Sequence, residues 1–404
     1  MIRARVPGGS FTTKTPRTPR RGRFKGRTVG RAVWTSGVTF GFSSSCLSLV
    51  SLCLGGSVLF VGDVVVNRTL AVTLGDVAGI GPETVARLCA AGEARSAARI
   101  VVVGCPVVMA RAVALIGGTQ RVVPVSGPGD LVAEGEIACW NPATVRVDEV
   151  APRKVDGRAG RAAYDWLVAA TRAALAGQID AIVTAPLNKY ALREGGVNFP
   201  GHTEILAHEC GVRDSAMMLY LPPGMAVRAP EGLGVAHVTL HTSVASVPGL
   251  LSTERIGATI ALLDEFMARV TGRPPRIGVC ALNPHAGEDG LFGDEEARLI
   301  APAVGEATRS GRHVTGPFPA DTLMKRACDG EFDGVVAMYH DQGHIAIKLV
   351  AFNRAVNVTL GLPIVRTSPS HGTAFDIAWQ GKAEAAGLQA ACDVAVRLLP
   401  QVKG

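Results

Sequence analysis

The 404-residue sequence is poor in aromatic and charged side chains, and none of its cysteines occurs in a CxxC motif. Aromatic residues make up 5% and charged residues 19%, against 48% apolar residues at a mean hydropathy of +0.26. This composition excludes intrinsic disorder over most of the chain. The nine cysteines are odd in number and scattered, which argues against a disulfide framework or a cysteine zinc site. Reduced thiols in the cytoplasm are the expectation.

Acidic residues are absent from the first 31 positions, which carry ten of the 41 Lys and Arg residues. The remaining 373 positions therefore hold 31 bases against 34 acids, a net charge of −3, although the whole chain stands at +7. The basic charge belongs to a terminal stretch, and the body has no electrostatic footprint for a polyanion. We predict that nucleic acid is not a partner.

Charged residues are also absent between Ala32 and Gly62, where an apolar run diluted by Ser and Gly follows the basic stretch. Three interpretations stay open: a signal peptide or membrane anchor, a disordered arm, or an upstream start of translation with the working protein beginning near Val66 or Asn67. We predict that residues 1–66 are an extension outside the fold. Residues 67–404 are expected to form a body of two subdomains that does not associate with membranes.

After Arg68, short β-branched runs alternate with amphipathic helical patterns. LAVTL precedes PETVARLCAAG, RIVVVG precedes PVVMARAVALIGG, and further strand-like runs are AIVTA, GVAHVTL, RIGVCAL, GVVAMYH and VNVTLGL. This alternation predicts an α/β fold with a largely parallel sheet that is buried on both faces. Ligands of such sheets bind beyond the carboxyl ends of the strands, so polar clusters that follow the strands are expected to converge there.

The common cofactor and metal motifs are missing: the sequence has no HExxH, no GxGxxG and no Walker pattern. The glycine-containing turn from Gly75 to Glu83, between a strand and a helix, could be a phosphate-binding loop. The need for glycine in a tight strand-to-helix turn explains it equally well. Any metal site must therefore be assembled from distant segments, and three neutral imidazoles can hold a divalent ion. Four histidines stand in polar turns after strand-like runs: His202, His241, His285 and His340.

Three basic residues are candidate anion binders: Lys189, Lys348 and Arg366. Lys348 and Arg366 lie in segments dominated by apolar and small residues, where a charge needs a partner. A phosphate or carboxylate ligand is a natural partner for such a base.

Eight motifs in order carry a resemblance to one protein family: LGDVAGIGPE, TAPLNKYAL, FPGHTE, NPHAGEDGLFGDEE, GPFPADTL, MYHDQGH, VNVTLGLPIVRTS and HGTAFDIA. From residue 69 to about residue 400 the chain resembles the 4-hydroxythreonine-4-phosphate dehydrogenases of pyridoxal phosphate biosynthesis. The resemblance implies a two-domain α/β/α fold, similar to isocitrate and isopropylmalate dehydrogenases, with the active site in the interdomain cleft. It also implies a homodimer whose active site is shared across the interface.

The resemblance implies roles for individual residues. A divalent metal ion (Zn, Mg, Mn or Co) would be held by His241, His285 and His340. One of these three ligands would come from the partner subunit. The substrate would be bound by His202, Thr203, Lys348, Asn357 and Arg366. Lys348 and Asp321 are the two candidates for the catalytic proton acceptor, and the sequence does not rank them.

The implied reaction is the NAD- or NADP-dependent oxidation and decarboxylation of 4-phosphohydroxy-L-threonine to 3-amino-2-oxopropyl phosphate. The segment HDQGHIAIK, which contains His344, instead resembles a branch of the family that acts on phosphorylated four-carbon sugar acids. D-threonate or D-erythronate 4-phosphate is therefore the alternative substrate.

The segment that begins at Ser370 resembles the adenosine-binding loop of isocitrate and isopropylmalate dehydrogenases, although a simple helix-entry turn is the alternative. The resemblance implies cofactor contacts by His371, Gly372, Thr373 and Asp376. Three departures from the family pattern stand out: Val77 replaces a Pro, Ser370 replaces an Asp, and Trp379-Gln380 replaces a pair of small residues or Gly-Lys.

Overall fold

The computed structural model describes residues 68–91, 98–224, 226–352 and 354–399. The predictions for the N-terminal extension fall outside these residues. The described strands are β1 (Thr69–Thr73), β2 (Arg99–Val103), β3 (Val122–Val125), β4 (Ile137–Trp140), β5 (Ala181–Thr184), β6 (Ala216–Leu221), β7 (Leu233–His237), β8 (Ile277–Cys280), β9 (Val314–Phe318), β10 (Gly334–Ala337), β11 (Val356–Leu360) and β12 (Val365–Pro369).

The described α-helices are α1 (Gly81–Ala91), α2 (Pro106–Leu115), α3 (Gly157–Leu175), α4 (Lys189–Glu194), α5 (His202–Cys210), α6 (Val247–Leu250), α7 (Thr253–Thr271), α8 (Ala301–Arg309), α9 (Ala320–Cys328), α10 (His340–Ala351) and α11 (Ala386–Leu398). Local sequence explains the ends of the long ones. The Asp156 carboxylate accepts a hydrogen bond from the Arg158 amide at the start of α3, and Ser252 caps α7 in the same way. Gly272 ends α7 in the left-handed conformation, at φ 67°.

All twelve strands form one sheet, in the order β3-β4-β2-β1-β5-β12-β11-β6-β7-β10-β8-β9. The predicted α/β class is confirmed, and the central strands are buried along their whole length, as the continuous apolar runs indicate. The cysteines among the described residues are all free, in agreement with reduced thiols. Within the described ranges, no helix is long and apolar enough to cross a membrane.

The sheet changes direction in its middle. β11 pairs antiparallel with β12 and with β6, and β6 pairs antiparallel with β7. Because three reversals follow one another, β7 to β10 run opposite to β1, β2, β5 and β12. The prediction of a largely parallel sheet therefore holds within each half. The two halves present their carboxyl ends at opposite edges, so strand-end clusters can share a carboxyl edge only within one half. Three of the four histidines follow strands of the same half, β7, β8 and β10: His241, His285 and His340.

The four strands β12, β11, β6 and β7 form what we call the antiparallel seam. Its register aligns side chains from both halves on one face of the sheet. Thr359 pairs with Met217, and Val358 pairs with Thr367, so that Thr359 lies beside Arg366. Arg366 in turn pairs with Ile182 of β5. The seam therefore joins residues that are far apart in the sequence, and the candidate site is built on this face.

Candidate functional site

Arg366 is the most deeply buried basic side chain of the site, at 2% exposure. Its Nη1 donates to the Thr359 hydroxyl at 3.1 Å and its Nη2 donates to the Thr184 hydroxyl at 2.6 Å, while Nε has no hydrogen-bond partner. Among the described residues, no carboxylate lies within ion-pair distance of the guanidinium. Burial lowers the pKa of Arg366 to about 10, although the negative charge of Glu204 opposes this. A buried cation without a counter-ion is typical of a site for an anionic ligand.

Two further predicted substrate residues lie at the start of α5, close to Arg366. Burial, and then the positive charge of Arg366, hold the pKa of His202 well below its ordinary value of 6.5, so that its imidazole is neutral. His202 and Thr203 form the first turn of a nine-residue helix, whose N-terminal amides favour negative charge. On β11, the side-chain oxygen of Asn357 is buried without a hydrogen-bond partner. These groups together can hold a phosphate or carboxylate.

Four imidazole rings form a continuous line, which we call the histidine row. Their centroids are 4.6 Å apart for His237 and His344, 3.7 Å for His344 and His340, and 5.8 Å for His340 and His241. His237 lies on β7 at 2% exposure, and its Nε2 is 3.1 Å from the His344 Nδ1. Burial, aided by neighbouring imidazoles, lowers the pKa to about 3 for His237 and about 4 for His344. Both rings are therefore neutral at pH 7.

Sequence reasoning missed His237. The signal that could have revealed it is its position: it is the one ionisable residue in the strand LGVAH, in a sheet whose strands are expected to be buried on both faces. A polar residue at such a position needs a polar partner, which here is His344.

His241 and His340, two of the predicted metal ligands, line the same cleft of about 350 Å³. The Nδ1 of His340 lies 2.6 Å from the Asp341 carboxylate, an arrangement that leaves Nε2 with its lone pair for a ligand. His285, by contrast, is exposed on the loop after β8, with its ring 6.2 Å from that of Phe292. Within the described part of one chain, no three His, Cys, Asp or Glu side chains could hold a metal ion together. Two imidazoles fit a divalent ion in this cleft only if further ligands come from outside the chain.

The two candidate proton acceptors differ in their surroundings. Lys348 lies in the last turn of α10, and its positive charge helps to lower the pKa of His344, after burial and the neighbouring His340. Its Nζ is 5.8 Å from the centre of the Phe352 ring. Asp321 is exposed in the first turn of α9, and no hydrogen bond or ion pair of the described residues joins it to the histidine row. The geometry of one chain therefore favours Lys348.

The predicted cofactor loop follows β12, at the edge of the sheet opposite the carboxyl end of β7. The Thr373 carbonyl accepts a hydrogen bond from the Ile80 amide at 3.0 Å, which ties the loop to the turn between β1 and α1. Gly79 lies so close that an added Cβ would be 2.9 Å from the Thr373 Cβ. His371 is half-buried, while Gly372 and Asp376 are exposed to solvent, where a ligand could reach them.

Two of the departures from the family pattern contact each other in this region. The indole Nε1 of Trp379 donates to the Val77 carbonyl at 2.8 Å, and the Arg111 guanidinium lies over the indole ring at 4.9 Å. Val77 and Trp379 therefore form one structural contact between the two turns.

Residues 96–395 match the protein family described as "Pyridoxal phosphate biosynthetic protein PdxA". A D-threonate 4-phosphate dehydrogenase of Pectobacterium atrosepticum is 43% identical over 334 residues, which cover 82% of this chain and 99% of the relative. A 4-hydroxythreonine-4-phosphate dehydrogenase of Desulfosudis oleivorans is 43% identical over 336 residues, covering 81% and 95%. A crystal structure of 4-hydroxythreonine-4-phosphate dehydrogenase from Klebsiella pneumoniae is 42% identical at a TM-score of 0.73, covering 82% of this chain and 99% of that one. The fold, the order of the motifs and these similarities show that the chain belongs to the PdxA family.

Proposed function

We propose that this protein is an NAD- or NADP-dependent dehydrogenase that oxidises and decarboxylates 4-phosphohydroxy-L-threonine. The observation that carries the proposal is the buried, uncompensated guanidinium of Arg366 on the face of the sheet that also holds His237. A phosphorylated hydroxy acid offers an anionic group to Arg366. Its oxygen atoms can also bind a metal ion held by histidines. D-threonate or D-erythronate 4-phosphate is the alternative substrate, and the relatives support both, because enzymes of each name are equally similar to this chain.

In this proposal the chain's own residues bind and orient the substrate. Arg366, His202, Thr203 and Asn357 hold its anionic groups, which fixes the reacting carbon and contributes through orientation. Lys348, in its neutral amine form, accepts the proton of the secondary alcohol while the hydride passes to the oxidised nicotinamide, so that the alcohol becomes a ketone. The resulting β-keto acid loses CO₂ and yields 3-amino-2-oxopropyl phosphate.

The proposed metal ligands are His241 and His340 of one chain together with His285 of a second copy. A divalent ion bound there would supply Lewis-acid chemistry, lowering the pKa of the substrate hydroxyl and stabilising negative charge on oxygen. The proposed cofactor contacts are His371, Gly372, Thr373 and Asp376, which would hold the adenosine part of NAD or NADP.

A homodimer is part of the proposal, and exposed apolar side chains support it. On α10, which begins at His340, Ile345 and Leu349 are 57% and 83% exposed, and Phe352, directly after the helix, is 59% exposed. Leu291 and Phe292, close to His285 in the sequence, are 72% and 47% exposed. Apolar patches of this kind are typical of protein interfaces. If a second copy of the chain covered both apolar patches, the interface would lie next to His340 and His285. We propose that this homodimer is a soluble cytoplasmic enzyme.

The test is a parallel assay of the full chain with 4-phosphohydroxy-L-threonine and the two sugar-acid phosphates, each with NAD⁺ or NADP⁺ and a divalent ion. We expect the highest kcat/KM with 4-phosphohydroxy-L-threonine. A much larger kcat/KM for a sugar acid would transfer the assignment to that substrate, and no reduction of cofactor with any of them would overturn the dehydrogenase proposal.

The shared site has its own test. His285→Ala and His340→Ala are each expected to abolish turnover without unfolding the protein, because both residues lie outside the core. If the ligands come from two chains, mixing the two inactive variants creates heterodimers with one intact site. About a quarter of the wild-type activity should then return, since half of the dimers would carry one working site of two. Mixtures that stay inactive after verified subunit exchange would contradict a shared site.

A further inference from the structure

We propose that Thr184 and Thr359 are positioning residues, which hold the Arg366 guanidinium in the orientation that binds the anionic group of the ligand. This inference rests on the proposed function in one respect only, namely that Arg366 contacts an anion. It assigns a role to two side chains that the sequence analysis treats as ordinary strand residues.

The geometry is that of a two-sided support. β12 lies between β5 and β11 in the sheet, and each neighbouring strand contributes one threonine to the same face as Arg366. Thr184 accepts from Nη2 at 2.6 Å and Thr359 accepts from Nη1 at 3.1 Å. Each terminal nitrogen therefore has one fixed hydrogen bond, from opposite sides of the strand.

Strand propensity does not explain these two hydroxyls. Thr184 is fully buried and Thr359 is 5% exposed. At such a position valine has the same shape, the same β-branch and no polar atom to remove from water. A buried hydroxyl costs free energy unless it is hydrogen-bonded, and both of these are bonded to the same cation.

The support matters because an arginine side chain has many rotamers. An unsupported guanidinium loses this freedom when the ligand binds, whereas one already held in place loses little. With both Nη atoms occupied once, Nε and one hydrogen on each Nη remain for the ligand. The threonines would therefore affect affinity for the anion, and the chemical step only through it.

The experiment measures the binding of inorganic phosphate to the full chain by calorimetry, together with KM and kcat for the best substrate of the parallel assay. The variants are Thr184→Val, Thr359→Val and the conservative Thr184→Ser, which keeps the hydroxyl. Thr367→Val is the matched control, because Thr367 is the buried neighbour of Arg366 and donates to the Ala391 carbonyl on α11 instead. Circular dichroism and thermal melting confirm that each variant is folded.

We expect Thr184→Val and Thr359→Val each to weaken phosphate binding and to raise KM by about 10-fold or more, the range for a hydrogen bond to a charged group, with kcat changed far less. Thr184→Ser should recover most of the loss, and Thr367→Val should bind phosphate like the wild type.

Unchanged phosphate affinity in both valine variants would overturn the inference, and so would an equal loss in Thr367→Val. Failure of the proposed function gives a different result: the wild type would bind phosphate, and the valine variants would bind it less well, while none of the substrates is oxidised. A wild type that does not bind phosphate at all would also overturn the inference.

Discussion

Asp333 and Arg366 are charged side chains buried to nearly the same extent, at 1% and 2% exposure, but their surroundings differ. Asp333 accepts hydrogen bonds from Arg273 and Arg276 at 2.8 to 3.1 Å and from the Arg276 amide at 2.8 Å. Burial alone would raise its pKa, yet the hydrogen bonds from the two arginines outweigh this and hold the pKa at about 2. In the part of the chain that the structure describes, the Arg366 guanidinium has only two hydrogen-bond acceptors, both of them neutral hydroxyls.

The difference separates a charge that the chain itself satisfies from one for which we propose a ligand. The chain satisfies Asp333 completely, so that this carboxylate stabilises the fold and has nothing left to offer a ligand. Arg366 keeps an unpaired N–H, and folding alone does not compensate its charge. A buried charge that its own chain leaves unpaired is thus a better marker of a binding site than burial or charge alone.

The largest expected loss of stability concerns Asp333. Asp333→Ala removes the partner of two arginines and should lower the free energy of unfolding by about 3 kcal/mol, as measured by urea denaturation. The KM of the folded fraction of this variant should equal that of the wild type. Asp329→Ala is the control, because its ion pair with Lys325 is exposed and should contribute little. Equal losses of stability in the two variants would contradict the comparison.

Arg366→Met should produce the opposite pattern. It removes a buried, uncompensated charge and keeps the apolar length of the side chain, but it also leaves the buried hydroxyls of Thr184 and Thr359 without the guanidinium. These two effects oppose each other, so the free energy of unfolding should change little. The loss of the ligand's charged partner should lower kcat/KM roughly 30- to 1,000-fold, which corresponds to about 2 to 4 kcal/mol of lost binding free energy in the transition state. Strong destabilisation with an unchanged KM would show that Arg366 is structural.

Asp76, in the turn after β1, sharpens the comparison as a buried acid that a proton neutralises only below about pH 6. Its Oδ1 accepts from the Ala78 amide at 2.8 Å, while Oδ2 has no partner, and burial raises its pKa from 3.8 to about 6. The folded chain therefore binds this proton more tightly than the unfolded chain. Its contribution to stability is present below about pH 4 and is lost as the pH rises through 6.

This sign predicts the behaviour of Asp76→Asn, which keeps the acceptor for Ala78 without the charge. The variant should exceed the wild type in free energy of unfolding by up to about 3 kcal/mol at pH 7 to 8, with the gain shrinking towards pH 4. Urea denaturation between pH 4 and 8 measures it. A difference that is constant over this range would contradict the pKa shift.

The sequence predicts the strands that are rich in β-branched residues better than the others. β6 (AMMLYL) has no β-branched residue, and β3 and β9 each contain a proline. Strand propensity therefore does not predict these three strands. The reversal at the seam is also invisible locally. Strand direction depends on the pairing of β11 with β6, whose residues Val356 and Tyr220 lie more than a hundred positions apart.

The candidate site divides in the same way. Arg366 is predictable because a charge within an apolar segment needs a partner, and none of the described carboxylates lies within ion-pair distance of it. His237, Thr184 and Thr359 are not, since each resembles an ordinary strand residue until its neighbours from other strands are known. A metal site that takes ligands from two chains cannot be derived from the geometry of one chain, so the role of His285 stays a prediction.

The register of the seam has a consequence for how the enzyme acquires its activity. Side chains alternate between the two faces of a strand, so a slip of β11 by one residue would turn Asn357 and Thr359 away together and bring Val358 into their place. A misregistered chain could keep its hydrogen-bonded sheet and much of its apolar packing while losing the proposed anion pocket. Recovery of catalysis after refolding would therefore report on the correct alignment of these strands more sensitively than the recovery of secondary structure.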